Sequence, residues 1–200
     1  MERICHVQQR AGMRGFPFRA PASRRTQSGF NLTELMLTLA VAGVLMSIAI
    51  PEFTALAAAQ RASARINSVA SAIHTARHLA ISHNRSMTLC SGQGPVCGDR
   101  DDWHSGMLIF ADSNGDRRLD DGEYVGARLP AMDAGETIVW RSFGSRSFLR
   151  FRPDGVSDWQ AGNFQYCPAD RDPRFARQLI LNAQGRPRHA FDADGDGIRE

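Results

Sequence analysis

Five oxygen-bearing side chains, Asp112, Asn114, Asp116, Asp120 and Glu123, occupy the first, third, fifth, ninth and twelfth places of the segment DSNGDRRLDDGE, the ligand spacing of a calcium loop. Such a loop needs glycine at its sixth place for a sharp turn, and Arg117 stands there, with Gly115 two places early. β-type runs flank the segment, so an acidic hairpin turn with Asn-Gly geometry is the alternative reading. A second constellation is basic. Arg186 and Arg188 lie two residues apart just after Gly185, and on a strand both would point to one face, a pair of planar guanidinium forks suited to successive phosphates. A third is a cysteine pair: Cys90 and Cys97 enclose SGQGPV, a loop short enough to be closed by a disulfide, with either partner to Cys167 as the alternative. Disulfides persist outside the cytosol. No nucleophile elbow, P-loop or metalloprotease spacing is present, and the cysteines and histidines do not match a zinc site. An enzyme is therefore not expected, and no cofactor is implied.

The charge balance says where an anionic partner would be held. The formal charge of the 200 residues is +3, but residues 1–29 carry six arginines and one acid, and the remainder has eighteen arginines against twenty acids. No lysine occurs, so every fixed positive side chain is a guanidinium. From Asp99 to Glu136 ten acids face four arginines, a balance of −6; from Arg141 to Ala190 nine arginines face four acids, a balance of +5. Arg141, Arg146, Arg150, Arg152, Arg171, Arg174 and Arg177 could widen a patch centred on Arg186 and Arg188. Taken singly, these seven are better read as solvating strand faces or pairing with the acidic half of the same domain.

The elements that must position these residues are legible in outline. Residues 1–28 are rich in Arg, Ala, Gly, Pro and Ser without apolar periodicity, and positive residues before an apolar span hold that end inside. Residues 35–50 are uncharged and mostly apolar, about 24 Å of helix, lengthened toward a bilayer span by Phe30, Leu32 and Phe53. A secretory signal would require a small-residue cleavage site after this run, and SIAIPEF supplies no convincing one. Alanine-rich helix formers follow instead. Ile66, Val69, Ile73, Ala76 and Leu79 or Ala80 make the stripe of an amphipathic helix, so one long helix is predicted, with a bend near Pro51. From Met87 the pattern becomes SMTLCS, GMLIFAD, EYVGARL, TIVW, FLRFR, NFQYC, QLILN and RPRHAF, short β-type runs between Gly, Asp and Pro. These predict an antiparallel sheet or small sandwich, with the helix covering one sheet face. The fold class is α+β.

One residue fits none of this: Glu34, a carboxylate at the mouth of an apolar span, where a lone charge costs several kcal/mol unless partnered. With Gly29 and Phe30 before it, GFNLTELMLTLAVAGVLMSIAIP resembles the class III signal and first helix of type IV pilins and type II secretion pseudopilins. That signature is Gly, then Phe or Met, then a glutamate five residues into the mature chain, then about twenty apolar residues. Asn31 stands where Thr is commoner. LCSGQGPVC, DDWHSGMLIFADSNGDRRLDDGE, FRPDGVSDWQAGNFQYC and LILNAQGRPRH extend the resemblance over roughly residues 29–190, to minor pilins of the FimT and FimU type and the pseudopilin GspH.

The resemblance implies a type IV pilin-like fold in five segments. These are a basic leader, 1–29, removed by prepilin peptidase; a membrane and filament-core half-helix, 30–52; an amphipathic half-helix, 53–85; a periplasmic β-rich head, 86–190; and an acidic tail, 191–200. It implies cleavage after Gly29, N-methylation of Phe30, and an assembly contact in which Glu34 meets the Phe30 ammonium of a neighbouring pilin subunit. The location implied is the inner membrane by a single pass, and then the pilus. FimT-like proteins carry a C-terminal Gly-Arg-x-Arg motif linked to DNA binding, and Gly185, Arg186, Pro187 and Arg188 fit it. Sequence-independent binding of double-stranded DNA during natural transformation is the function implied. A structural minor pilin priming assembly and a minor pseudopilin of type II secretion are the alternatives.

Overall fold

A computed structural model describes residues 29–144 and 146–190. The expected leader up to residue 28 and the acidic tail, 191–200, lie outside the described residues. Helix α1 runs from Leu32 to Ser82 and passes through Pro51. The chain divides into two compact units, one ending at Met46 and the other beginning at Ser47.

In the first unit every large apolar side chain from Phe30 to Met46 is exposed, and α1 contains an 18-residue stretch of mean hydropathy 2.0 with none of it buried. Glu34 is in the first turn, where a negative charge suits the unpaired N–H groups. Gly29 and Phe30 precede the helix and are exposed.

In the second unit α1 becomes amphipathic. Ala62, Ile66, Val69, Ala72, Ile73, Ala76 and Ala80 are buried along it, at the three- and four-residue spacing that keeps one face inward. The strands are β1 (Met87–Ser91), β2 (Met107–Ala111), β3 (Val125–Leu129), β4 (Thr137–Ser142), β5 (Phe148–Phe151), β6 (Gly162–Cys167), β7 (Arg177–Leu181) and β8 (Pro187–His189). Each falls within or across one of the eight runs read from the sequence. They form two four-stranded antiparallel sheets, β3-β2-β1-β5 and β4-β6-β7-β8.

The inward residues of both sheets meet the helix stripe in one core. The first sheet contributes Met87, Leu89, Ile109, Leu149 and Phe151; the second contributes Ile138, Trp140, Phe164, Tyr166, Leu179 and Leu181. Trp140 stacks on Phe164 with ring centroids 4.4 Å apart, and Trp103 meets Phe164 edge-on at 4.8 Å. Gly126 lets β3 approach the helix, since a Cβ there would lie 2.3 Å from Leu79 Cδ1. A polar clamp completes the joint. Arg65 of α1 pairs with Asp133 at 2.6 Å and with buried Glu136 at 2.7 Å, while the Tyr166 hydroxyl donates to Glu136 Oε1 at 2.9 Å.

Candidate functional site

The Gly-Arg-x-Arg segment is built by a turn that Asn182 organises. Its side-chain Oδ1 accepts from the backbone N–H groups of Gln184 and Arg186, and its carbonyl accepts from the N–H of Gly185. Gly185 has a φ of +75°, a left-handed conformation that glycine adopts without a Cβ penalty. A Cβ there would stand 2.6 Å from Phe151 Cε1, so space excludes one as well. The turn delivers the chain into β8, which pairs with β7 so that Arg188 opposes Ile180 and Pro187 opposes Leu181. Both arginines are exposed.

Strand register carries the face across the sheet. Arg141 opposes Asn163 on β6, Asn163 opposes Ile180 on β7, and Ile180 opposes Arg188. One row therefore reads Arg, Asn, Ile, Arg, with the two guanidinium stems three strand spacings apart, roughly 14 Å. The adjacent row holds Val139, Gln165 and Gln178, and beyond it Thr137 opposes Cys167. Leu179 and Leu181 point the other way, into the core. None of these outward positions carries an acid. The alternation in NFQYC and QLILN contains the signal for this polar, uncharged ground.

The remaining expected arginines have other engagements. Arg150 Nη2 lies 2.6 Å from Asp112 Oδ2, a carboxylate with no exposed surface, and Arg150 also sits over the Phe148 ring. Arg152 pairs with Asp154 at 2.5 Å, Arg174 with Asp172 at 2.7 Å and Arg146 with Asp158 at 3.7 Å. The guanidinium of Arg152 lowers the Asp154 carboxyl below its ordinary range, and Arg174 does the same to Asp172. Arg177 donates to the carbonyls of Arg174 and Ala176. Arg171 reaches Thr137 Oγ1 at 3.2 Å and helps to wall a cavity of about 360 Å³ over Gln165, Cys167 and Gln178. Among the described residues, the side chains of Arg141, Arg186 and Arg188 make no ion pair. Of the nine arginines these three are the ones left without an ion pair on the outward face, and Arg171 stands at its Thr137 end. Their arrangement suits bidentate contact with an extended polyanion.

The calcium spacing resolves differently. Asp112 accepts from Thr88, Arg150 and the Gly115 N–H. Asn114 bonds Asp120, Asp116 accepts from the Arg118 N–H, and Glu123 accepts from the N–H groups of Ser113 and Asp120. The five side chains hold their own loop rather than converging, and among the described residues no group of three or more His, Cys, Asp or Glu is placed to hold a metal ion. Arg117, at the place where a calcium loop has glycine, takes a φ of +67°. Cys90 and Cys97 are joined in a disulfide, and Cys167 is a free thiol.

The family described as "Type II transport protein GspH" matches residues 65–185, more than half of the chain. The chain belongs to the GspH family. Its members are minor pilins and pseudopilins, and the apolar start of α1 fits a single membrane anchor. The chain is 35% identical over 105 residues to the pilin-like protein PilA1 of Thermus thermophilus, covering 51% of this chain and 59% of that one. It thus spans about three fifths of the length of that relative. Two crystal structures of the type IV minor pilin FimU of Pseudomonas aeruginosa align with TM-scores of 0.46 and 0.42, at 19% and 17% identity. They cover 68% and 67% of this GspH-family chain and 91% and 90% of FimU.

Proposed function

We propose that this chain is a minor type IV pilin that binds DNA without regard to sequence during uptake for natural transformation. The observation that carries the reading is the outer face of the second sheet, where Arg141, Arg186 and Arg188 border uncharged polar ground with no acid among its outward positions. Arg186 and Arg188 stand about 7 Å apart along the chain, a spacing suited to successive phosphates of one strand. Contacts of this kind read the backbone and leave the bases unread.

The route to the filament is part of the proposal. Prepilin peptidase cuts after Gly29 in the inner membrane, Phe30 is methylated, and Glu34 finds its counter-charge in the Phe30 ammonium of a neighbouring subunit. Assembly then relieves the cost of a carboxylate in the bilayer, and the head passes from the periplasm into the pilus. Mass spectrometry of the membrane-extracted protein checks the first step: a mature chain beginning at methylated Phe30 is expected, and an intact leader overturns it.

The test of function is a mobility-shift titration of the full chain in detergent micelles with a DNA duplex at two salt concentrations. Affinity should fall steeply with salt, and Arg186→Gln with Arg188→Gln should weaken binding and reduce the logarithmic salt slope by about two. Absent or salt-insensitive binding rejects the reading. The family description as a transport protein favours a second one, a minor pseudopilin of type II secretion. Deletion that abolishes secretion and spares transformation selects it, whereas loss of piliation selects a structural minor pilin that primes assembly.

A further inference from the structure

Phe143 and Trp159 are the two most exposed large apolar side chains of the β-rich head, at 90% and 79%. Neither has a structural reason to be there. They lie on two loops tied to each other through Arg146, and Phe143 stands at the edge of the arginine face. The Phe143 N–H donates to the Ala161 carbonyl at 3.0 Å, which continues the β4–β6 ladder by one position. Ser142 Oγ donates to the Arg146 carbonyl, and Arg146 Nη1 donates to the Asp158 carbonyl, so the residue before Trp159 is tied to the loop that carries Phe143. By the same register Phe143 continues the outward positions of Arg141, and Ala161 leads across the sheet toward Asn182, whose N–H donates to the Arg186 carbonyl. Trp159 holds a φ of +54°, a left-handed conformation uncommon for a bulky side chain, and its loop maintains that conformation while leaving the indole in water. Strained backbone that presents a side chain outward marks a binding role more often than a packing one.

We infer that Phe143 and Trp159 are a stacking platform for unpaired nucleobases, so that this protein prefers single-stranded over double-stranded DNA. The inference rests on the DNA-binding reading above and adds the ligand form. Guanidinium groups hold the phosphates of either form, but only an unpaired strand can turn the flat faces of its bases onto aromatic rings, and such stacking tolerates any base. The nearest acid, Asp158, is already paired with Arg146, so the charge around the rings admits a polyanion.

The tryptophans supply a direct test on the full chain in detergent micelles. Trp103 and Trp140 have no exposed surface, so solvent-exposed emission belongs to Trp159. A poly-dT oligonucleotide should quench that emission and leave the buried component, a duplex of equal length should quench it far less, and Trp159→Phe should remove the effect. In anisotropy titrations Phe143→Ala and Trp159→Ala should each weaken poly-dT binding about tenfold with duplex affinity little changed, whereas Arg186→Gln with Arg188→Gln weakens both. Equal binding of both forms with no quenching overturns the inference and leaves the DNA reading standing; absence of any binding removes both. Normal DNA binding with lost co-purification of pilus subunits in the aromatic variants also overturns it, assigning the rings to a subunit contact.

Discussion

Sheet one turns Cys90, Leu108, Phe110 and Phe148 away from the helix and buries most of this face a second time, under loops. Sheet two leaves Arg141, Asn163, Gln165, Gln178 and Arg188 on its outward face without such a second core. The difference comes from the connections. The segment after β1 and the segment after β2 pair with each other, through Leu119 N–H to the Pro95 carbonyl and Cys97 N–H to the Arg117 carbonyl, and the Cys90–Cys97 disulfide fastens this cover to the sheet. Over sheet two the β6–β7 connection reaches back at the Thr137 end, through Arg171, and leaves Arg141 and Arg188 exposed. An arginine on the first face is therefore drawn into structure, as Arg150 is by Asp112, and an arginine on the second is available to a partner. Similar side chains acquire opposite roles from the loops above them.

The largest effect expected from breaking this contrast is at Arg150. Arg150→Ala leaves Asp112 buried without its counter-charge, and removing one member of a buried pair costs about 3 kcal/mol. Urea unfolding followed by the emission of the buried tryptophans should report that loss. A change below about 1 kcal/mol would show that water satisfies Asp112 and that the pair does not anchor the covered face.

Next comes the staple. Replacing Cys90 and Cys97 together by serine releases a short loop, worth about 2 kcal/mol by the closure-entropy relation. Protease nicking should then concentrate in residues 92–99, while DNA affinity per folded molecule stays unchanged. Cleavage elsewhere in the head would mean that the cover is integral to the main core.

What the sequence revealed tracks how local each cause is. The eight strands were legible because each is a short apolar or alternating run bounded by turn residues, and the helix stripe because Ile66, Val69 and Ile73 repeat at helical spacing. Gly185 and the two arginines after it were legible as a turn and a pair. The partners of Arg150 and Arg65 were not. Asp112 is 38 residues before Arg150 and Asp133 is 68 after Arg65, and nothing in either neighbourhood announces the other. The count of nine arginines from 141 to 190 therefore leaves open which of them pair, and at least four meet carboxylates in the fold. The acidic segment shows the same limit: the order of its acids is legible in the sequence, while Thr88 and Arg150, distant along the chain, fix where Asp112 points.

A smaller effect sharpens the comparison at the joint between sheet two and the helix. Burial and the bond to Glu136 push the Tyr166 phenol well above its ordinary range, because ionisation would set a second negative charge beside a buried carboxylate. A folded-state value above the unfolded one means that stability is intact below about pH 10 and declines as pH rises beyond it, the native state holding the proton that the unfolded state gives up. Tyr166→Phe should cost about 1 kcal/mol at neutral pH for the lost hydrogen bond and flatten the alkaline decline. An unaltered decline would place the titrating group elsewhere.

The smallest stability change is expected where the binding change is largest. Arg141→Gln, Arg186→Gln and Arg188→Gln should each leave unfolding within about 0.5 kcal/mol of the parent chain, since none of these side chains makes an ion pair among the described residues and glutamine keeps much of the aliphatic stem. A triple variant as stable as the parent yet unable to retain DNA would separate the open face from the covered one in a single measurement. A triple variant that loses several kcal/mol would mean that these guanidiniums have partners within the molecule, and the face would then be no more available than that of sheet one. Stability and affinity must move independently here, because a surface kept for a partner gives up the interactions that would otherwise bind it to its own fold.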